Sequence, residues 1–449
     1  MRAALVLALS VLCLCAPAAR GQSVTIRGAD PERYSLKLRW TERGAGILTG
    51  RQGIEFVNRG PAALDRVWLR LWANGPDRCR PRRIRVRIAR PATPGRRRCT
   101  ALEVQLAEPV APGAAGSISI RFRVRARPDV DRFGKIGSTT LLGNVVPLLA
   151  VEDERGLHLD PYSALGESFY SLSARWDATL RLPAGLRAAT TGGVRSERVT
   201  RRSRLLTVRS YQARDFALAI GRLRAKTARV AGVRVRVLYA PRVQEVRASL
   251  RAARRSVRAL SKRLGRLDAG QLDVVLLRGA LSDGLFAGME YPELVFSLPL
   301  PDVVAHEVAH QWWYGLVGND QFSAPWLDES FAQYSHERLY PGLNLCRPGR
   351  PYELVAPRRR RIPLDSTMAV FERRSVFALG EIVYLGGSCA LQTLERGIGR
   401  KRMTAVLQLL QLRNRHGVMA GTDVVAAIGE VAAGFNVARW LRVARLSRL

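Results

Sequence analysis

From about residue 22 to 225 the chain alternates apolar and polar residues in short runs. Examples are Ser35-Leu-Lys-Leu-Arg-Trp40, Val67-Trp-Leu-Arg-Leu-Trp72, Ser117-Ile-Ser-Ile-Arg-Phe122 and Trp176-Asp-Ala-Thr-Leu-Arg-Leu182. A period of two sends successive side chains to opposite faces of a strand, so each run predicts a half-buried strand. Gly, Pro and Asn interrupt the runs at intervals, as in an antiparallel β domain of saddle or sandwich type. The pattern changes near residue 226. Val233–Leu238 reads as a strand, Val243–Leu264 as a long helix with arginines on its polar face, and Val274–Leu277 and Leu294–Ser297 as short strands. Two helices follow around residues 306 and 329, then a weakly periodic stretch from Pro341 to Phe371, then helices near 378–396, 399–412 and 422–433. The expected organisation is an N-terminal β domain over 22–225 and an α/β unit passing into α-helices over 226–449. No internal repeat is evident.

The first 18 residues read as a secretory signal: Arg2 is the charged start, Ala3 to Cys15 the apolar run, and Ala16-Pro17-Ala18 the cleavage context. That run is too short to span a bilayer, and no later segment reads as a transmembrane segment. The expectation is an exported protein, secreted or extracytoplasmic. Of six cysteines, Cys79, Cys99, Cys346 and Cys389 lie beyond the signal. In an oxidising compartment Cys79 and Cys99 are expected to bridge locally, leaving Cys346 and Cys389 as a second candidate pair.

A net charge of +36 resembles a nucleic-acid signal, but its composition argues otherwise. Only five of the 73 basic residues are lysine, an arginine skew typical of GC-rich coding. Arg96-Arg97-Arg98 and Arg358 to Arg361 sit in Pro/Gly-flanked loops without the interleaved aromatics of a base-stacking surface. The reading is no specific nucleic acid, with solvated loops or electrostatic contact with an anionic cell surface in its place.

The chemistry is concentrated in His306-Glu307-Val308-Ala309-His310 and in Glu329, with eighteen residues between His310 and Glu329. Histidines four apart on a helix project from one face and reach one ion. Glu307 falls beside that ion as a general base, and Glu329 supplies a third ligand from the helix Trp326-Leu-Asp-Glu-Ser-Phe-Ala-Gln-Tyr334. Three protein ligands leave one position open, the mark of a catalytic zinc site, with one Zn²⁺ per chain. An accidental match is disfavoured because the chain has five histidines and two form the motif. His158 and His336 fit no ligand spacing and read as structural, while Trp312 and Trp313 read as packing.

Sixteen residues before His306 lies Glu290, within Gly288-Met289-Glu290-Tyr291-Pro292. Together with the zinc motif and Trp326-Leu-Asp-Glu-Ser-Phe-Ala332, this stretch resembles the gluzincin aminopeptidases, the aminopeptidase N family. The resemblance implies a thermolysin-like catalytic domain behind the β domain. It also implies peptide substrates with a free N-terminus, whose α-amine is held by Glu290 on a substrate-binding edge formed by Gly288, Met289, Glu290 and Tyr291. A carboxylate is the group an ammonium near Zn²⁺ requires. Tyr291, Asp328 and Ser330 depart from the family pattern of Asn, Asn and Gly; Tyr291 is expected to reshape the pocket for the first side chain. The family's downstream tyrosine, in a Tyr-x-x-Gly setting, matches Tyr384 in Val383-Tyr384-Leu385-Gly386-Gly387, a donor for the developing oxyanion. Tyr314 and Tyr334 are the competitors. Many members end in a large helical cap; the chain here ends at Trp440–Leu449, so a more open cleft is expected. The sequence therefore indicates a secreted zinc aminopeptidase. The alternatives are an endopeptidase with the same machinery or a surface-binding protein with a retired site.

Overall fold

Alternating strands assemble first into a seven-stranded sheet. Its spatial order is Gly193–Val199, Ser203–Ala213, Ala174–Pro183, Ala29–Thr41, Ile47–Asn58, Ala115–Arg125 and Ile84–Ile88. All neighbours are antiparallel except Ala29–Thr41 with Ala174–Pro183, which run parallel. The computed structural model describes residues 24–449 apart from 77–78, 81, 129–131, 278–286, 344–345, 348–349 and 354. The signal sequence expected over residues 1–18 lies outside the described residues.

One face of this sheet is apolar. Leu36, Leu38, Ile54, Phe122, Trp176 and Leu180 are buried, and Tyr34 stacks on Trp176 at 4.1 Å. Two four-stranded sheets close over that core: Leu148–Leu149, Leu64–Arg70, Ala101–Val110 and Thr93–Arg97 form one, and Arg187–Thr190, Leu218–Gly221, Thr139–Leu142 and Phe133–Ile136 the other. The N-terminal half is thus β-rich, as its period of two requires. The run Val67–Trp72 differs in part: its strand ends at Arg70, and Trp72–Asn74 turns into a 3-10 helix.

A five-stranded sheet begins at Arg224, in the order Arg224–Val230, Val233–Tyr239, Gln271–Leu276, Leu294–Ser297 and Gly288–Met289. Helix α1, Val246–Leu264, connects two parallel strands and buries Ala253, Val257 and Leu260 against the sheet. It starts three residues later than the periodicity suggests, because Glu245 adopts a left-handed conformation at its N-terminus. Gly288–Met289 pairs antiparallel with Leu294–Ser297 and forms the sheet's edge. Helices α2, Pro301–Ala309, and α3, Trp326–Leu339, follow, and helical segments continue to Ala444.

This sheet is fastened to the β-rich half by buried polar contacts. The Tyr291 hydroxyl donates to Asn144 Oδ1 at 2.5 Å, the Ser210 hydroxyl to Glu293 at 2.5 Å, and the Thr190 N–H to Asp273 at 3.2 Å. Asn144 also donates to Asp215, whose carboxyl burial pushes up to about 7. A raised acid holds its proton in the folded chain while the unfolded chain has lost it. Its contribution to stability is therefore full below about pH 4 and fades as pH rises towards 7. We expect the melting-temperature advantage of the wild type over Asp215→Asn to shrink between pH 5 and pH 8, measured by thermal denaturation in matched buffers. A constant difference would contradict the assignment.

Two features at the C-terminal end depart from the sequence reading. The helix expected near 378–396 is broken in character: Val376–Leu379 is α-helical, Gly380–Gly386 is a π-helical turn, and Gly387–Ile398 is α-helical again. By length and composition the continuous run Val376–Ile398 qualifies as a membrane span, which the sequence reading overlooked. In the fold its residues Ala378, Ile382, Val383, Ala390, Leu391 and Leu394 are buried in the same core as α3. A further helix, Val437–Ala444, was not anticipated; it covers the core with Trp440. Both candidate cysteine pairs are bridged, Cys79 to Cys99 and Cys346 to Cys389. The second ties the 341–371 segment to the helix that follows the π turn. Two bridges suit an oxidising compartment.

Candidate active site

Helix α2 begins with Pro301, whose fixed φ suits a first helical position, and it is only nine residues long. His306 lies in its last turn and His310 caps it, so both imidazoles leave the same face. The chain then turns tightly under Trp312 and Trp313, which are fully buried. The Trp313 carbonyl lies 3.0 Å from His310 Nδ1, which assigns the proton to Nδ1 and leaves Nε2 as a lone-pair donor. Helix α3 is buried nearly all round. Trp326, Leu327, Phe331 and Ala332 are its apolar side, and Asp328, Glu329, Ser330 and Ser335 are buried polar residues that need partners.

Glu329 finds its partners on α2. Its Oε2 lies 3.2 Å from His306 Nε2 and 3.2 Å from His310 Nε2, and the two Nε2 atoms are 3.1 Å apart. Donors bound to zinc at about 2.0–2.1 Å in tetrahedral geometry stand roughly 3.3 Å from one another. This chain's three donor atoms fit that arrangement closely, and two imidazoles with one carboxylate suit zinc chemically. Burial opposes the charge on Glu329, but the two histidines beside it, His310 first and then His306, hold its carboxyl below the usual range. Burial pushes His306 down, towards the neutral form a metal ligand requires.

These residues line a cleft of about 390 Å³ together with Glu290, Glu307, His336 and Tyr384. Glu307 is buried, and its Oε2 has no hydrogen-bond partner among the described residues. Burial pushes its carboxyl well above the ordinary value. Gly288 on the sheet edge faces it: a Cβ there would lie 2.1 Å from Glu307 Oε1. A methyl group there would oblige the Glu307 carboxylate to move. Gly288→Ala is accordingly expected to shift Glu307 and lower kcat by roughly 100-fold, the cost of about 1 Å of misplacement, with zinc content unchanged. Metal analysis beside steady-state kinetics checks this; an unaffected kcat would contradict the packing argument.

Glu290 is buried and takes a hydrogen bond from Gln321 Nε2 at 2.9 Å; the same amide donates to Asp328 at 2.7 Å. Burial, with Glu167 next in effect, pushes Glu290 well above its ordinary value, and burial raises Asp328 to about 7. Met289 and Tyr291 follow a different course from the expectation. Both side chains are fully buried in an apolar cluster with Phe296 rather than lining the cleft, and Tyr291 is committed to Asn144. Tyr291 thus packs at the junction with the β-rich half.

Tyr384 sits in the π turn, its ring stacked on His306 at 5.7 Å. The turn adds one residue to the helical repeat, a device common at functional sites, and so re-aims the tyrosine into the cleft. Ser330 steadies it by donating to the Val383 carbonyl at 2.7 Å. Tyr334 bonds Glu395 and Arg263 instead, and Tyr314 is buried outside the cleft lining. His158 bonds Asp153, as a structural histidine would, whereas His336 lines the cleft 6.2 Å from the His306 ring. Two participants had no signal in the sequence. Glu167 and Arg132, paired at 3.0 Å, enter the cleft from the β-rich half, and Glu167 gathers with Glu290 and Glu329.

Residues 297–443 match the Peptidase family M1 domain. This part of the chain is an M1 peptidase domain. The set His306, His310 and Glu329 is the zinc site of that family. Aminopeptidase B of Rattus norvegicus is 39% identical over 62 residues, covering 12% of this chain and 10% of that protein. Aminopeptidase N of Lactococcus lactis subsp. lactis is 30% identical over 151 residues, covering 31% and 17%. The chain thus spans no more than about a fifth of either curated relative. Crystal structures of a Deinococcus radiodurans M1 zinc metallopeptidase share the fold over nearly the whole chain. One variant aligns with a TM-score of 0.68 at 20% identity over 94% of this chain and 95% of its own. A second, bound to a Tyr-Ser-Ala substrate, aligns at 0.64 and 20% identity over 93% and 94%. The β-rich half followed by the catalytic region thus has the fold of those metallopeptidase structures.

Proposed function

We propose that the protein is an exported zinc aminopeptidase that removes N-terminal residues from peptides. The division into a β domain to about residue 225 and a catalytic domain from 226 is part of this reading. The observation that supports it is the buried Glu290 carboxylate, in the same cleft as the metal ligands and Glu307. A second carboxylate, Glu167, stands close by. A cleft so rich in acid is suited to a cationic end of a substrate, and a free α-amine is the cation every peptide has.

His306, His310 and Glu329 would hold the zinc, which when bound would supply Lewis acidity at the scissile carbonyl and lower the pKa of a water. Glu290 takes the substrate ammonium and sets how far the first residue enters. Glu307 accepts the proton of the attacking water on its unpartnered Oε2 and returns it to the departing amine nitrogen. The Tyr384 hydroxyl donates to the oxygen on which negative charge develops. Arg132 holds Glu167 in place.

Paired aminoacyl and N-acetyl-aminoacyl chromogenic substrates test this, with and without a zinc chelator. Chelator-sensitive cleavage of the free-amine set alone is the expected result. Cleavage of the blocked set would make the enzyme an endopeptidase, and zinc bound without hydrolysis of either set would make the site a retired one.

A further inference from the structure

The sequence is rich in arginine within its loops, but the fold also gathers positive charge on the outward face of the seven-stranded sheet. Strand register sets Arg87, Arg121, Arg51 and Lys37 side by side on four successive strands. Two residues along, Arg85, Arg123, Arg39 and Arg181 form a parallel row, with Thr49 between the second and third. All eight are exposed, and none is in an ion pair among the described residues. The acids on this face lie at its far end, where Asp177 is already engaged by Arg33, Arg175 and Arg209.

Like charges directly opposite on neighbouring strands destabilise a sheet. The alternating pattern needs only polar outward residues, and serine or threonine would satisfy it without repulsion. The two rows border a shallow groove of about 850 Å³, larger than the active-site cleft, and no residue of either row lines that cleft. Neighbouring strands stand about 4.8 Å apart and successive outward residues about 6.7 Å apart. An extended chain bearing repeated phosphates meets a cation at each step. Seven of the eight are arginine, whose planar fork pairs bidentately with phosphate. The two rows contain no aromatic or large apolar side chain. Of the apolar residues along the groove, Leu38 and Phe122 are buried in the core and Leu205 is half-buried, so no exposed ring is offered for base stacking and no exposed apolar patch for bilayer insertion.

We propose that this sheet face binds a linear, phosphate-bearing polyanion at a site separate from the peptidase cleft. The probe is inorganic polyphosphate, titrated against the full-length mature protein at several salt concentrations. Wild type is compared with Arg51→Gln/Arg87→Gln/Arg121→Gln/Arg123→Gln. The charge-matched control is Arg258→Gln/Arg358→Gln/Arg402→Gln/Arg439→Gln, at exposed positions in the C-terminal half, outside the sheet. The groove variant is expected to bind roughly 30-fold or more weakly and with a shallower salt dependence, and the control within about threefold of wild type. Because the rows repel, the groove variant is also expected to melt at or above the wild-type temperature. Should it melt lower, the double variant Arg51→Gln/Arg121→Gln serves, with a loss of roughly fivefold or more expected. Equal losses in both variants would reduce the effect to net charge and overturn the proposal. So would tighter groove-dependent binding of phosphatidylglycerol vesicles or of single-stranded DNA than of polyphosphate.

Discussion

Glu307→Gln is expected to retain its zinc and lose about 10³-fold in kcat, with little change in KM. Glutamine keeps the shape that packs against Gly288, so the edge strand and the three metal ligands stay where they are. What it loses is the ability to accept a proton and hold it. General base catalysis supplies about 10²–10⁴-fold in rate, and here no neighbouring group stands in line to replace it. The candidates nearby are otherwise engaged: Glu329 is a ligand, Glu290 is bonded to Gln321, and Glu167 is paired with Arg132. Metal analysis together with steady-state kinetics on a free-amine substrate decides the matter. Wild-type kcat in a zinc-loaded variant would remove Glu307 from the mechanism.

Glu290→Gln is expected to change selectivity more than chemistry. Removing one partner of a buried charge pair costs about 2–5 kcal/mol, which is roughly 30- to 4000-fold in kcat/KM for a substrate presenting an ammonium group. An N-acetyl substrate brings no charge to that position and should change less than about threefold. The quantity to measure is the ratio of kcat/KM for the two substrate types, which should fall by about 100-fold. Gln321 keeps its bond to Asp328 in the variant, so α3 and the ligand Glu329 have no reason to move. An equal loss on both substrates would assign Glu290 a structural role.

The zinc ligands were legible because their chemistry is local in sequence. His306 and His310 share a helix face by periodicity alone, and Glu329 sits on a helix whose pattern is readable. Tyr384 was found only through resemblance, and what aims it, a π turn held by Ser330, has no signature in hydropathy. Met289 and Tyr291 show the opposite failure. Adjacent residues on an edge strand point to opposite faces, and beyond the strand's end the chain's course decides which face meets the core. Glu167 and Arg132 come from a segment with no motif, more than a hundred residues before the zinc helix.

By itself the sequence determined the β-rich first half, the helical second half, the metal site and the place of Glu307 beside it. All of these depend on repeats or spacings within one element, where backbone geometry fixes what neighbours what. Tertiary structure decided which acids share the cleft, that Gly288 lies against the Glu307 carboxylate, and that basic residues scattered over five strands form two rows. Those outcomes depend on strand register and on elements meeting across long stretches of chain, and no local pattern encodes the distance between them.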